Sequence, residues 1–229
     1  KACEGNPDTQ YLLGCQCVDG TAVERNYEYA VDWFRMAAEN GNSKAYSRLA
    51  QLYFCESPLK DETLALKYAK ESADSGDAQM QYVFGVFSAT LNNEQDTACH
   101  YLLKAAENGS ANAQLLLGKI LWDVPEDDEF DSLAKRGGLE YLKNAADQGA
   151  WEASYIYGYS KYSMTEVKAD WAEASKYLNL SFSNENTTAE YRIHILNALA
   201  TMSLWGGDGI EKDISQAKEY ISSAEKIHS

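Results

Sequence analysis

The chain has 229 residues, enough for one or two domains, with a mean hydropathy of −0.47 and a formal net charge of −15. Its 35 acidic against 20 basic residues make nucleic acid and anionic membrane surfaces poor partners; the charge suits a basic or mixed protein surface and equally serves plain solubility. With 3 prolines and 15 glycines it is neither collagen-like nor biased to disorder, and no apolar run approaches the roughly 20 residues that span a bilayer.

The first expected helix covers 7–18, with Asn6-Pro7 at its start and proline in the favoured first position. Helices at 26–40 and 42–56 follow. Ala30, Trp33, Phe34 and Ala37 keep helical spacing before Gly41, and Ala45, Leu49, Leu52 and Tyr53 keep it after. Glycine suits the left-handed position that ends a helix, and Asn42 or Ser43 can cap the next one. Further helices are expected at 61–75, 77–91, 95–108, 110–123, 136–148 and 150–163.

Aligned on the hinges Gly5, Gly41, Gly76, Gly109 and Gly149, these helices repeat every 33 to 40 residues. Nine positions after each hinge stands a small residue: Gly14, Ala50, Gly85, Gly118 and Gly158. Eight before the last four stand Trp33, Tyr68, Tyr101 and Tyr141, and three before them Ala38, Ala73, Ala106 and Ala146. Such a period marks a stack of helical hairpins, each unable to bury its apolar face alone. The small residue is expected where helices cross closely, with the aromatic eight before the hinge filling the wider space.

The longest step contains an acidic insertion, 123–135, carrying Pro125, Asp127, Asp128 and Glu129. It reads as a loop, either functional or merely solvated. Regular repeats run to about 163, and 164–229 diverge. Trp171 to Tyr177 is still a recognisable helix, but the hinge expected near Glu185 has no glycine. Helices at 187–204 and 215–227 flank a glycine-rich turn at 205–213.

The unit resembles the Sel1-like repeat, a relative of the tetratricopeptide repeat. Ala30 to Tyr53 carries its first two parts, and Gly207-Asp-Gly209-Ile-Glu-Lys-Asp213 its turn, followed by Ala217, Tyr220 and Ala224. The resemblance covers nearly the whole 229 residues as a single domain. It implies an all-α, right-handed α-solenoid of about five to six hairpins, and protein binding as the family's general use.

Tetratricopeptide-like geometry would place positions three, six, ten and thirteen after each hinge in a groove. The candidates for partner contact are Tyr11, Gln51, Phe54, Tyr82, Lys119, Trp122, Glu152, Tyr155, Tyr159 and Tyr162, with Asp127, Asp128 and Glu129 of the insertion as a second patch. The chain has 16 tyrosines and 5 tryptophans, an enrichment that suits interfaces between repeats or with a partner.

No catalytic arrangement is found. His100, His194 and His228 lie far apart, Cys15-Gln-Cys17 is no zinc motif alone, and the glycines at 206–209 fit a turn. We expect neither enzyme activity nor a cofactor or metal.

Five cysteines, Cys3, Cys15, Cys17, Cys55 and Cys99, leave at least one thiol free. Their clustering near the start, and a first residue that is not methionine, lead us to expect an exported protein whose leader has been removed, and the resemblance implies the periplasm as its place. Some exported relatives carry disulfides between cysteines eight residues apart, but the residue eight after Cys3 is Tyr11. Cys3 with Cys15 or Cys17, and Cys55 with Cys99, are the remaining pairings; buried reduced thiols fit equally.

The resemblance further implies a role. Exported bacterial Sel1-like proteins include immunity proteins that neutralise type VI secretion effectors of the phospholipase class. The alternatives are a periplasmic regulator restraining a membrane sensor or envelope complex, and a cysteine-rich hydrolase.

Overall fold

A computed structural model describes residues 5–20, 24–54, 58–90, 94–123, 129–163, 170–207 and 209–228, the side chains of 129–135 and 228 excepted. The described residues form twelve α-helices: α1 (Pro7–Asp19), α2 (Tyr27–Glu39), α3 (Lys44–Phe54), α4 (Glu62–Asp74), α5 (Ala78–Thr90), α6 (Gln95–Glu107), α7 (Ala111–Trp122), α8 (Glu129–Asp147), α9 (Trp151–Ser163), α10 (Trp171–Ser183), α11 (Ala189–Trp205) and α12 (Ile214–His228). Among them, an isolated bridge between Gly207 and Ile210 has β character. The fold is all-α, as expected.

The chain divides into two compact units, Lys1–Ser110 and Ala111–Ser229. In the first, α1 packs on α2, α3 on α4 and α5 on α6; in the second, α7 on α8, α9 on α10 and α11 on α12. These six pairs meet the upper end of the expected number. Packing across the hinge at Gly41, between α2 and α3, is less extensive than in either flanking pair. The stretch from Ala30 to Tyr53 therefore joins two hairpins instead of forming one.

Glycines on α1, α5, α7 and α9 explain the close packing of their pairs. A Cβ on Gly14 would meet the Phe34 ring at 2.6 Å, one on Gly85 Leu102 at 2.9 Å, and one on Gly158 Leu178 at 3.0 Å. The residue that faces the glycine stands seven before the next hinge. The expected aromatic stands eight before, so the filling role moves by one position. Phe34 and Leu178 are fully buried, each contributing about 1.5–3 kcal/mol by burial.

The residue eight before the hinge bonds instead. The Tyr101 hydroxyl donates to Asp74 Oδ1 at 2.5 Å, and the Tyr177 hydroxyl to Asp147 Oδ1 at 2.6 Å. A parallel set ties buried glutamines to hinge amides. Asn40 Nδ2 donates to Gln10, Asn108 Nδ2 to Gln81 and Gln148 Nε2 to Gln114, each at 2.9 Å. The tyrosine bonds link one hairpin to the one before it within its unit, whereas the amide bonds tie the end of a hairpin's second helix to its first.

The glycine hinges hold φ between 87° and 100° at Gly41, Gly76, Gly109 and Gly149. The next N–H bonds back to the last helical turn, as Asn42 does to Ala37 O at 2.9 Å and Ser110 to Ala105 O at 2.8 Å. This satisfies carbonyls that the helix end would orphan. Near Glu185 the turn is built differently. Asn184 is extended, and the buried Thr187 hydroxyl donates to Ser181 O while Arg192 donates to Asn184 O. Side chains there do the work of the missing glycine.

The insertion is shorter as a loop than expected, because α8 begins at Glu129 and not near 136. The sequence from Glu129 to Arg136 contains no glycine or proline to interrupt a helix. Asp127 and Asp128 lie outside the described residues, as does the side chain of Glu129. Cys15, Cys17 and Cys99 carry free thiols, with Cys17 buried in the first core and Cys99 exposed. None of the three is paired here, and Cys3 and Cys55 lie outside the described residues.

Candidate partner-binding surface

In the second unit, the first helices of the pairs present one continuous polar and aromatic surface. On α7, Lys119 and Trp122 stand one turn apart. On α9, Glu152, Tyr155, Tyr159 and Tyr162 recur at spacings of three and four, which places them on one face. Lys119 Nζ lies 3.1 Å from Glu152 Oε1 across the two helices, so these two candidates engage each other.

The rings form a chain. Tyr155 stacks on Tyr159 with centroids 5.7 Å apart and planes at 27°. Tyr159 tilts against Tyr162 at 5.6 Å, and Tyr162 against Trp171 at 6.4 Å. Tyr191 of α11 sits edge-on to Tyr155 at 4.7 Å and to Trp151 at 5.3 Å. Tyr159 keeps 39% of its surface exposed, while Trp122, Tyr155 and Tyr162 are half-buried.

Two cavities share Tyr159 as a wall. One, of about 250 Å³, is lined by Lys119, Trp122, Asp123, Tyr155, Ile156, Tyr159 and Ser160. The other, of about 210 Å³, is lined by Tyr159, Tyr162, His194, Asn197, Ala198 and Thr201. Burial pushes the Tyr155 hydroxyl pKa up, helped by Tyr159, Tyr191 and Glu190. The Tyr155 phenol is therefore neutral at physiological pH. Behind the surface, Lys143 and Lys161 flank Glu173 at 3.2 and 3.5 Å. Burial opposes ionisation of Glu173, but bonds from Lys143 and Tyr157 and the two cations outweigh it and hold its pKa below the usual carboxylate value.

Of the candidates in the first unit, Tyr11 and Phe54 are held by packing. Tyr11 tilts against Phe34 at 5.7 Å, and Phe54 stacks on Phe87 at 4.9 Å. Gln51 is exposed and accepts from Arg48 at 3.1 Å, and Tyr82 is half-buried. Sequence reasoning missed Tyr191, His194, Asn197 and Thr201. A signal existed for the first: Tyr191 lies six after Glu185, as Tyr155 lies six after Gly149. Without a glycine at 185 the register was not carried into α11.

No helix of the described residues is long and apolar enough to cross a membrane, and they contain no group of three or more metal-binding side chains.

Known proteins agree with the fold. A protective antigen of uropathogenic Escherichia coli with an SLR fold superposes with a TM-score of 0.75 at 20% identity, covering 100% of this chain and 48% of that one. A Sel1 repeat protein from Oxalobacter formigenes gives 0.67 at 20% identity, covering 97% and 88%. These likenesses show the fold class, an α-solenoid of Sel1 hairpins. A curated Schizosaccharomyces pombe protein, named as an ERAD-associated E3 ubiquitin-protein ligase component, is 21% identical over 112 residues. That match takes in 49% of this chain but 16% of the relative. The Sel1 repeat model matches residues 7–42, 43–77, 85–110, 135–149 and 196–226, more than half of the sequence, and the chain belongs to the Sel1 repeat family.

Proposed function

We propose that this Sel1 repeat scaffold is a non-catalytic protein binder that docks its partner on α7, α9 and α11. The partner we infer is an antibacterial type VI secretion effector of the phospholipase class, neutralised in the periplasm. The observation that carries the docking surface is the ring chain from Trp151 to Trp171, with Tyr159 exposed between two cavities. Aromatic anchors beside concavities are the usual energetic centres of protein interfaces, at about 2 kcal/mol or more each.

The net charge of −15 supports a partner with a basic or mixed surface, drawn in by long-range attraction. The effector identity rests on what the family resemblance implies for exported members, joined to this surface.

The test has two parts. Affinity capture from the producing cell should recover a lipase-type effector, and the purified protein should suppress that effector's hydrolysis of phospholipid vesicles. Trp122→Ala and Tyr159→Ala should each weaken binding by about 2 kcal/mol, roughly thirtyfold, with helicity unchanged. Capture of a sensor kinase alone would overturn the immunity role. Unchanged affinity in both variants would overturn the surface.

A further inference from the structure

We propose that the cavity between α7 and α9 is a receptor for one arginine side chain presented by the protein partner. This rests on the docking surface above and names the chemistry it reads. The volume of about 250 Å³ falls below the roughly 300 Å³ at which pockets begin to hold drug-sized ligands, and suits a single long side chain.

Its walls suit a planar cation. Trp122, Tyr155 and Tyr159 bring three aromatic rings to the lining, and Ile156 an apolar side chain that suits the aliphatic stem. Guanidinium stacks on aromatic rings and is more weakly hydrated than ammonium, so it enters such a site at lower desolvation cost.

The charge of the site has the matching sign. Lys119 is the cation in the lining, and Glu152 neutralises it at 3.1 Å. Lys161, on the same helix as the tyrosines, is held by Glu173 at 3.5 Å. Asp123 is exposed and completes the lining as its carboxylate. It directly follows Trp122, the last residue of α7, where the helix directs its negative end. Glu190 adds to the negative field felt by Tyr155. Among the described residues, Lys119, Glu152 and Asp123 sum to one net negative charge beside three rings.

The experiment titrates the full chain with N-acetylargininamide and, as the apolar equivalent, N-acetylnorleucinamide. The readout is the indole N–H resonance of Trp122 and the ring resonances of Tyr159. The arginine derivative should shift both saturably, more weakly as salt rises, while the norleucine derivative leaves them in place. Asp123→Asn should weaken arginine binding about fivefold, and Asp123→Glu should restore most of it. Equal binding of both compounds, no binding of either, or indifference to Asp123→Asn overturns the proposal. With the recovered partner the two readings separate. If Tyr159→Ala weakens capture and Asp123→Asn does not, the surface stands and the arginine receptor falls. If neither variant matters, both fall.

Discussion

A Cβ atom on Gly118 would lie 2.7 Å from Cγ of Leu142, a side chain that is itself fully buried. The contact is too short for any real methyl group, and Gly138 O stands 3.1 Å away on the same side. Glycine at this position is what lets α7 and α8 meet.

Gly118→Ala should therefore destabilise the protein by about 1–3 kcal/mol, the usual cost of overpacking a core, and Gly118→Arg by more. Two neighbours sharpen the test. A Cβ on Gly138 would meet Leu121 Cβ at 2.8 Å, whereas one on Gly137 meets nothing within 4 Å. Gly138→Ala should lower the urea midpoint. Gly137→Ala should raise stability by about 0.5–1 kcal/mol through helix propensity alone.

The buried amide ties predict a second loss. Gln81 is 3% exposed; its Nε2 donates to Ala73 O at 3.0 Å and its Oε1 accepts from Asn108. Gln81→Leu keeps the volume but strands both partners, and should cost about 1–3 kcal/mol in equilibrium unfolding. Asn108→Ala removes one bond and should cost about 1 kcal/mol.

Alkaline pH should expose the tyrosine–aspartate bonds. Burial, then the bond and charge of Asp74, push the Tyr101 pKa up from 10.0 to about 12. The folded state thus holds the phenolic proton more tightly than the unfolded one. The stability this contributes is complete below about pH 10 and is lost as pH rises towards about 12. Tyr101→Phe should be less stable at neutral pH by about 1–2 kcal/mol. Its stability should also fall less steeply than the wild type's between those two pH values.

Phe54 should separate from the docking residues. It packs into both apolar clusters of the first unit and stacks on Phe87. Phe54→Ala should cost about 3 kcal/mol of stability by denaturant unfolding. After correction for the unfolded fraction, partner affinity should stay unchanged. Tyr159→Ala should show the reverse pattern, because that ring is 39% exposed.

The sequence by itself determined the helices and their punctuation. Gly41, Gly76, Gly109 and Gly149 specify where helices stop because the left-handed backbone at each favours a residue without Cβ. The small residues at Gly14, Gly85, Gly118 and Gly158 likewise announced close helix contacts, since nothing else at a fixed period requires their size. Only the tertiary structure decided which side chain meets each glycine, and which helices pair most tightly. A spacing of seven or eight from a hinge is nearly one helical face, and a sequence pattern cannot resolve the turn of the partner helix.

The same limit applied to the aromatics. Tyr11, Phe54 and Tyr159 occupy equivalent kinds of position in the repeat, yet Tyr11 lies against Phe34, Phe54 against Phe87, and Tyr159 stands between two cavities. What surrounds a ring depends on residues far away in the chain, such as His194 and Thr201 from α11. The repeat pattern states where a large side chain begins; the neighbouring hairpin decides whether it fills a core or faces a partner.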